Sequence, residues 1–377
     1  MHDFLIKEII TSDIKPEIDY IGFDKSYSNI AAAKFQYKNI KIFGLSPAQA
    51  NILKQTAISA GADCATHREV ITGKIEKSDC ILGGSLSQIR KIAEKLQCQP
   101  FGLKFLGEEL VKNYNRPRKT KVMGILNVTD NSFSDGGEFL EPSKAFGHLK
   151  DMVKDGADII DIGAESTKPY SDPVPAEVQL ERILPVLELV KKEKLNVPIS
   201  IDTRSALVAE NCIKAGAVLI NDVSGMTYDW CMADVVAKYG VHVILQHSKG
   251  TPENMQISPD YKNLMDEIFL DLNQKISFAL TKGIAKNKII VDPGIGFGKT
   301  REHNFEILER IEELHSLGCP ILLGLSRKSL LNMQDEDNIT KDIYTVALNT
   351  IAIKKNVEII RVHNVKLHKN LIRMLSN

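Results

Sequence analysis

The sequence lacks an excess of charge, a long apolar run and a leader-like N-terminus. Lysine plus arginine and aspartate plus glutamate number 48 each, so no overall field gathers nucleic acid or anionic lipid. No apolar stretch reaches the length that spans a bilayer. The first residues, MHDFLIKEIITSDIK, have no basic start followed by an apolar block, as a signal peptide would. We therefore expect a cytoplasmic protein that binds neither nucleic acid nor membranes.

Two kinds of ligand-binding motif are also missing. The run GIGFGK at residues 294–299 lacks the G-x-x-x-x-G-K-[ST] spacing of a phosphate-binding loop. The cysteines form no C-x-x-C pair, which predicts free thiols in a reducing compartment rather than a zinc site. They are Cys64, Cys80, Cys98, Cys212, Cys231 and Cys319.

A polar, basic stretch at residues 113–121, NYNRPRKTK, divides the chain. A chain of 377 residues exceeds what one core usually organises. We predict a small α/β domain over residues 1–115 and a larger catalytic domain over residues 116–377. The small domain has strand-like runs at 40–43 and 80–82 and helix-like runs at 47–61 and 85–97. Its sequence does not indicate its role.

The larger domain repeats one pattern. Short apolar, β-branched runs alternate with segments of helical period, such as 177–194 and 302–318. Strands that are apolar at consecutive positions are typical of a parallel sheet covered by helices. The pattern favours a (β/α)₈ TIM barrel, with a doubly wound open sheet as the alternative. The strand-like runs are 122–126, 158–162, 197–201, 218–220, 241–245, 288–291, 321–325 and 358–362.

Every one of these runs ends in polar or ionisable residues. In a TIM barrel the carboxyl ends of the strands meet at one mouth, where active sites lie. A scaffold that needed only stability would not require such endings, so the set predicts an active site. The residues are Asn127, Asp161, Asp202, Asn221, Asp222, Gln246, His247, Asp292, Ser326, Arg327, Lys328, Arg361 and His363.

The chemistry of this set indicates two kinds of ligand. Asp202, Asn221 and Asp292 offer the alternating donors and acceptors that suit a flat, nitrogen-rich heterocycle such as a pterin. Arg327, Lys328, Arg361 and His363, with Asn127, form a basic rim that suits phosphate or diphosphate.

Eight motifs in register resemble the dihydropteroate synthase family. MGILNVTDNSFSDGG (123–137) is similar to its first signature, M-G-I-L-N-V-T-P-D-S-F-S-D-G-G, and ADIIDIGAESTKPYS (157–171) to its second. The others are SIDT (200–203), INDVSG (220–225), HSKGTPENMQ (247–256), VDPGIGFGK (291–299), GLSRKSLL (324–331) and RVHNVK (361–366). The resemblance implies a transferase that joins 4-aminobenzoate to a dihydropterin carried as its methyl diphosphate, by an SN1-like route.

The resemblance also implies roles for matching positions. The pterin pocket comprises Asp202, Asn221, Asp292, Phe297 and Lys328, of which Asp202 and Lys328 are catalytic. The diphosphate contacts are Asn127, Thr167, Lys168, Arg361 and His363. The aminobenzoate contacts are Phe133, Thr167, Ser326 and Arg327. The implied cofactor is Mg²⁺, held in part by Asn127, and the implied assembly is a homodimer.

Several positions depart from the family pattern. Lysine in place of arginine keeps the charge but loses bidentate geometry, and loss of proline leaves the first loop less stiffened. The departures are Asp130 and Asn131 (usually Pro-Asp), Lys168 (Arg), Tyr170 (Gly), Gln246 (Met) and Asn364 (Asp).

Alternatives remain open at this level. His247 is interpreted as a structural histidine, and Glu165 as a carboxylate that braces a loop. A similar barrel passes methyl groups from methyltetrahydrofolate to a corrinoid, but that reaction has no use for a diphosphate rim. A non-catalytic folate-binding barrel is the other alternative, although binding alone does not require the full rim of Asn127, Lys328, Arg361 and His363.

Overall fold

The computed structural model describes residues 5–11, 13–112, 119–129, 142–165, 173–249, 260–328 and 336–376. The chain divides into two compact units, Met1–Asn113 and Tyr114–Asn377. Among the described residues, no helix has the length and apolar composition to cross a membrane.

The N-terminal unit is a small α/β structure. Its three strands form an antiparallel sheet in the order β1-β3-β2. Its core is built around buried Leu53, Leu82, Ile89 and Leu96. The elements are α1 (Lys15–Tyr20), α2 (Ser28–Phe35), β1 (Tyr37–Leu45), α3 (Pro47–Ser59), β2 (Asp63–Thr66), a 3₁₀ turn (Arg68–Val70), β3 (Ser78–Ser85), α4 (Leu86–Leu96) and α5 (Leu103–Leu110).

Sequence signals explain where its two central helices begin. Ser46 and Ser85 are N-caps, and each forms a capping box with a glutamine three residues later, Gln49 and Gln88. The sequence did not indicate β2, because DCAT is short and lacks the run of β-branched residues that marks a strand.

The C-terminal unit is the predicted barrel. Its strands pair in parallel in the order β10-β11-β4-β5-β6-β7-β8-β9, and a parallel bridge from Val291 to Ile321 joins the ends of that row. This confirms the (β/α)₈ prediction over the open sheet. The strands are β4 (Lys121–Asn127), β5 (Ile159–Gly163), β6 (Ile199–Asp202), β7 (Leu219–Asp222), β8 (His242–Gln246), β9 (Ile289–Asp292), β10 (Leu322–Leu323) and β11 (Ile359–Val362).

Helices follow the strands and cover them with apolar faces. They are α6 (Pro142–Lys154), α7 (Ala176–Lys192), α8 (Ala206–Lys214), α9 (Met232–Tyr239), α10 (Leu264–Thr281), α11 (Arg301–Arg310), α12 (Asn338–Lys354) and α13 (Val365–Leu375). A 3₁₀ turn (Lys286–Lys288) precedes β9. The segment predicted as one helix over 302–318 is α11 followed by a 3₁₀ helix, Ile311–Leu317. Gly318, with φ of 71°, ends it in the left-handed conformation that glycine favours.

The barrel interior is layered. An apolar cluster takes one residue from each of seven strands: Met123, Ile159, Leu219, Ile244, Ile290, Leu322 and Ile359. Residues two positions further along a strand point to the same side of the sheet. Those positions hold Ile125, Asp161, Asn221, Gln246, Asp292, Gly324 and Arg361. An apolar floor therefore lies beneath a polar layer, to which β6 adds Asp202.

Candidate active site

The three residues predicted to bind the heterocycle lie at the ends of β6, β7 and β9, and β8 stands between the last two. Asp202 pairs in register with Asn221, and Asp292 pairs with Gln246. All four side chains are buried. The parallel ladder thus brings together residues that are far apart in sequence.

Arg361 connects this group from β11. Its Nε donates to Asp161 Oδ2 at 2.6 Å, and its Nη2 donates to Asp202 Oδ2 at 2.7 Å. Asp161 Oδ2 also accepts from Asn221 Nδ2 at 2.9 Å. One guanidinium therefore orients two carboxylates, and one of these orients the amide of Asn221.

Burial brings the pKa values of two ionisable groups in the site close to neutral pH. Burial raises the pKa of Asp202 to about 7, with the Arg361 guanidinium opposing the rise. Burial lowers the pKa of Lys328 to about 8, with Asp292 opposing the fall. Burial also raises the pKa of Asp292, against Lys328. Such shifts in a cluster at strand ends are typical of functional sites.

Lys328 is held against Phe297, which is predicted to lie in the pterin pocket. Its Nζ donates to the carbonyl of Ile295 at 2.6 Å and lies 4.7 Å from the centroid of the Phe297 ring. The ammonium group is therefore placed between the β9 and β10 strand ends.

Ser326, Arg327 and His363 fall into two groups. Ser326 Oγ lies 2.8 Å from His363 Nδ1 and accepts from the His363 amide at 3.2 Å. Arg327, whose φ is 56°, forms a bidentate pair with Asp342 at 2.8 and 2.9 Å. The structure thus shows Arg327 held by α12, and its contact with aminobenzoate stays a prediction.

The side chain of Asn364, one of the departures, makes two hydrogen bonds with described residues. Its Nδ2 donates to Asp342 Oδ2 at 3.1 Å, and its Oδ1 accepts from the Leu367 amide at 3.2 Å. An aspartate here could cap α13 but could not donate to Asp342. The Asn364 amide is therefore suited to this position, because it donates to a carboxylate that is already paired with Arg327.

The first and second loops supply the rest of the predicted site. Phe133, Thr167 and Lys168 lie outside the described residues, as do Asp130, Asn131 and Tyr170. Glu165 and Arg204 form a buried pair at 2.9 Å, and Glu165 Oε1 also accepts from the Val174 amide at 3.3 Å. This carboxylate therefore braces the described residues that flank the second loop.

The residues near Asn127 suit a Mg²⁺ ion that is bound mainly by water and substrate. Within the described ranges, no group of three or more His, Cys, Asp or Glu residues could hold a metal ion. Asn127, partly exposed at the end of β4, offers a neutral amide oxygen. Mg²⁺ commonly takes one or two protein oxygens together with water and substrate phosphates. Asn127 therefore fits an ion that arrives with a diphosphate.

Comparison with known proteins decides the family. The profile of the family described as "Pterin binding enzyme" matches residues 123–363. A dihydropteroate synthase of Clostridium beijerinckii is 44% identical over 268 residues, which cover 70% of this chain and 96% of the relative. The chain belongs to the dihydropteroate synthase family. This confirms the resemblance read from the motifs, and with it a transferase of folate biosynthesis.

Solved structures of the dihydropteroate synthase family share the barrel. The Yersinia pestis enzyme, solved with a sulfonamide drug complex, superposes with a TM-score of 0.65 at 39% identity and covers 70% of this chain and 95% of its own. The Xanthomonas albilineans enzyme, solved with 4-aminobenzoic acid, superposes with a TM-score of 0.64 at 34% identity. The match covers 68% of this chain and 92% of that enzyme's chain.

The dihydropteroate synthase motifs did not single out two residues of the polar layer. Asp161 appears only as a strand ending, and Gln246 only as a strand ending and a departure. The signal that could have found them is the spacing of two residues beyond the apolar cluster on β5 and β8.

Polar atoms of this layer lack partners within the protein. Asp161 Oδ1, Asn221 Oδ1 and Gln246 Nε2 are buried and have no hydrogen-bond partner among the described residues. Buried polar groups are nearly always paired, so such a cluster is typical of a site completed by a ligand or water.

Replacing Gln246 with methionine is expected to stabilise the free protein by about 1–3 kcal/mol, because it removes a buried donor without an acceptor. The matched control is Gln179→Met. Gln179 is equally buried, at 3%, but accepts from Thr203 Oγ1 at 3.0 Å and donates to the Val174 carbonyl at 2.8 Å. Its replacement is expected to destabilise the protein.

Urea unfolding followed by fluorescence checks both variants. The chain has one tryptophan, Trp230, in the barrel unit, so the signal reports on the barrel. A loss of stability in Gln246→Met equal to that in Gln179→Met would show that Gln246 is satisfied by water.

Proposed function

We propose that the chain condenses (7,8-dihydropterin-6-yl)methyl diphosphate with 4-aminobenzoate to give 7,8-dihydropteroate and diphosphate. The observation that carries the proposal is the polar layer with its buried Asp202, Asn221 and Asp292, where Arg361 contacts Asp202 and Lys328 lies over the Phe297 ring. Its carboxylates and amide suit the pterin, and its cations suit the diphosphate.

The pterin ring is recognised by hydrogen bonding. Its amino and N–H groups donate to buried carboxylate and amide oxygens, including the unpartnered oxygens of Asp161 and Asn221. Lys328 supplies a donor for a ring acceptor, and Phe297 packs on the ring. Occupying the unpartnered atoms removes their desolvation cost, so the site binds a heterocycle with alternating donors and acceptors.

The diphosphate leaves from the pterin methylene. The C–O bond breaks, and its electron pair departs with the diphosphate. Arg361 has five N–H donors, and only two are used in the contacts with Asp161 and Asp202, so others can reach the leaving group. His363, Asn127, Thr167 and Lys168 complete this contact set. Asn127 would hold Mg²⁺ together with the diphosphate, and the ion would neutralise phosphate charge.

The methylene cation that remains is delocalised over the pterin ring. The ionised Asp202 stabilises it, because a fixed charge in a buried site acts strongly on a developing charge. The neutral amine of 4-aminobenzoate then forms the C–N bond with its lone pair and releases a proton to solvent. Ser326, Arg327, Phe133 and Thr167 hold the aminobenzoate.

We further propose the domain division at residues 115 and 116, a homodimer and a cytoplasmic location. The basic break in sequence supports the division. The family resemblance supports the homodimer. The cytoplasmic location is supported by the equal numbers of basic and acidic residues and by cysteines that follow no pairing pattern.

The test is release of diphosphate and formation of dihydropteroate from Mg²⁺, the pterin diphosphate and 4-aminobenzoate. We expect release to depend on aminobenzoate, and Lys328→Ala to lower turnover at least about tenfold, the scale of one lost transition-state contact. Absence of dihydropteroate in the complete mixture would sink the proposal. Methyl transfer from methyltetrahydrofolate to a corrinoid would replace it with the methyltransferase alternative.

A further inference from the structure

The loop between β9 and α11 is held by side chains at five successive residues. The Gly294 amide donates to Asp292 Oδ1 at 2.7 Å, and the Gly296 amide donates to Asn304 Oδ1 at 2.9 Å. The carbonyls of Ile295, Phe297 and Gly298 accept from Lys328 Nζ, Lys299 Nζ and Tyr261 Oη at 2.6, 3.0 and 2.8 Å. The main chain that carries the Phe297 ring is therefore fixed from several elements.

Lys299 is a buried amine that the proposed reaction does not use. Its residue is 3% exposed. Its Nζ has acceptors in the Phe297 carbonyl at 3.0 Å, His247 Nδ1 at 2.8 Å and the His247 carbonyl at 3.5 Å. Burial lowers the pKa of Lys299 well below its usual range. A group so costly to bury is kept only where its hydrogen bonds serve the structure or the site.

His247 is matched to this donor. Burial, with Lys299 beside it, lowers the pKa of His247 to about 2, so the imidazole is neutral. A neutral imidazole can accept at Nδ1 when its proton is on Nε2. His247 thus joins the β8 end to the β9–α11 loop, in keeping with its interpretation as a structural histidine.

The two loops also touch through their backbones. A Cβ on Gly294 would lie 1.9 Å from the His247 carbonyl oxygen, and one on Gly298 would lie 2.3 Å from that of Lys249. The His247 amide donates to the Asp292 carbonyl at 2.9 Å. Because only glycine fits these positions, the two loops pack backbone against backbone, and Lys299 donates hydrogen bonds between them.

We propose that Lys299 is a positioning residue for the pterin site. By fixing the Phe297 carbonyl to His247, it sets the position of the Phe297 ring and of Lys328, whose ammonium lies over that ring. The inference rests on the proposed function, because that function defines a pterin pocket and an aminobenzoate pocket, and Lys299 supports the first of these. Its loss should weaken the pterin site and leave the aminobenzoate site intact.

Lys275 provides a matched control. It is 8% exposed, and from α10 its Nζ donates to the Gln246 carbonyl at 2.8 Å and pairs with Asp271 at 2.9 Å. It therefore holds the carbonyl of the residue just before His247. Both lysines are buried donors to consecutive carbonyls, but Lys299 also holds Phe297.

The experiment compares Lys299→Met with Lys275→Met in the full chain. Steady-state kinetics give the KM for each substrate, calorimetry gives the Kd of 6-hydroxymethylpterin, and Trp230 fluorescence gives the stability. We expect Lys299→Met to raise the pterin KM and Kd at least about tenfold more than Lys275→Met, with the aminobenzoate KM within about twofold of wild type.

Equal pterin effects in the two variants, or an equal rise in both KM values, overturn the inference. If Lys299→Met does not fold, Tyr261→Phe decides, because it removes only the hydroxyl donor to Gly298: a raised pterin Kd supports the inference, and an unchanged Kd overturns it. Wild-type turnover tests the proposed function separately, since the calorimetric comparison does not depend on catalysis.

Discussion

Replacing Arg361 with methionine is expected to lower turnover by at least about a hundredfold and to destabilise the fold by about 3–5 kcal/mol. Arg361 is the cation that contacts both Asp161, which is 0% exposed, and Asp202. Its removal leaves two buried carboxylates without this partner. The leaving diphosphate loses a bidentate donor at the same time.

The loss of stability should depend on pH. Without Arg361 the pKa of Asp202 in the folded state rises further, while its pKa in the unfolded state stays at the ordinary value. The unfolded state then binds fewer protons than the folded state over a wider range, so stability falls as pH rises through that range. Urea unfolding at pH 5 and pH 9 checks this, and the deficit should be larger at pH 9.

Two variants separate the causes. Arg361→Lys keeps the positive charge but loses the guanidinium that contacts two carboxylates at once. Compared with Arg361→Met, it should therefore recover more of the stability than of the turnover. Arg310→Met removes an exposed arginine that pairs with Glu306 and Glu313 on the surface, and should cost less than about 1 kcal/mol. Wild-type turnover in Arg361→Met would contradict the role assigned to the guanidinium.

The barrel could be predicted because its signal is local. Each strand is a short apolar run, each run ends in a polar residue, and the eight runs recur with helices between them. The bounds of the strands have a weaker signal. The run at 321–325 forms only a short ladder, Leu322–Leu323, where Gly324 and the left-handed Arg327 turn the chain away.

The network within the site could not be predicted in the same way. Arg361 lies 200 residues from Asp161 and 159 from Asp202 in sequence, and its choice of partners depends on how the strands are registered. Asn221 was predicted as a ligand contact, but its bond to Asp161 follows from the same register. Lys299 ends the motif VDPGIGFGK, but the sequence does not indicate that it is buried, because burial of a lysine is decided by the packing of two loops.

Replacing Asp202 with asparagine is expected to lower kcat/KM for the pterin diphosphate at least about tenfold at pH 8 and to abolish the acidic limb of its pH profile. Burial raises the pKa of Asp202 to about 7, against Arg361. Above that pH the carboxylate is charged and can stabilise the methylene cation. As pH falls through about 7 it takes up a proton and loses that ability. Asparagine has a similar shape and no charge at any pH.

The ratio of wild-type to variant activity is therefore the decisive measurement. It should be large at pH 8 and approach one below about pH 6, where Asp202 is neutral in the free enzyme. The alkaline limb should persist in both proteins, because burial lowers the pKa of Lys328 to about 8. Asp234→Asn, which removes an exposed carboxylate paired with Lys282, should leave rate and profile unchanged. An acidic limb near pH 7 that survives in Asp202→Asn would assign that titration to another group and remove Asp202 from the chemistry.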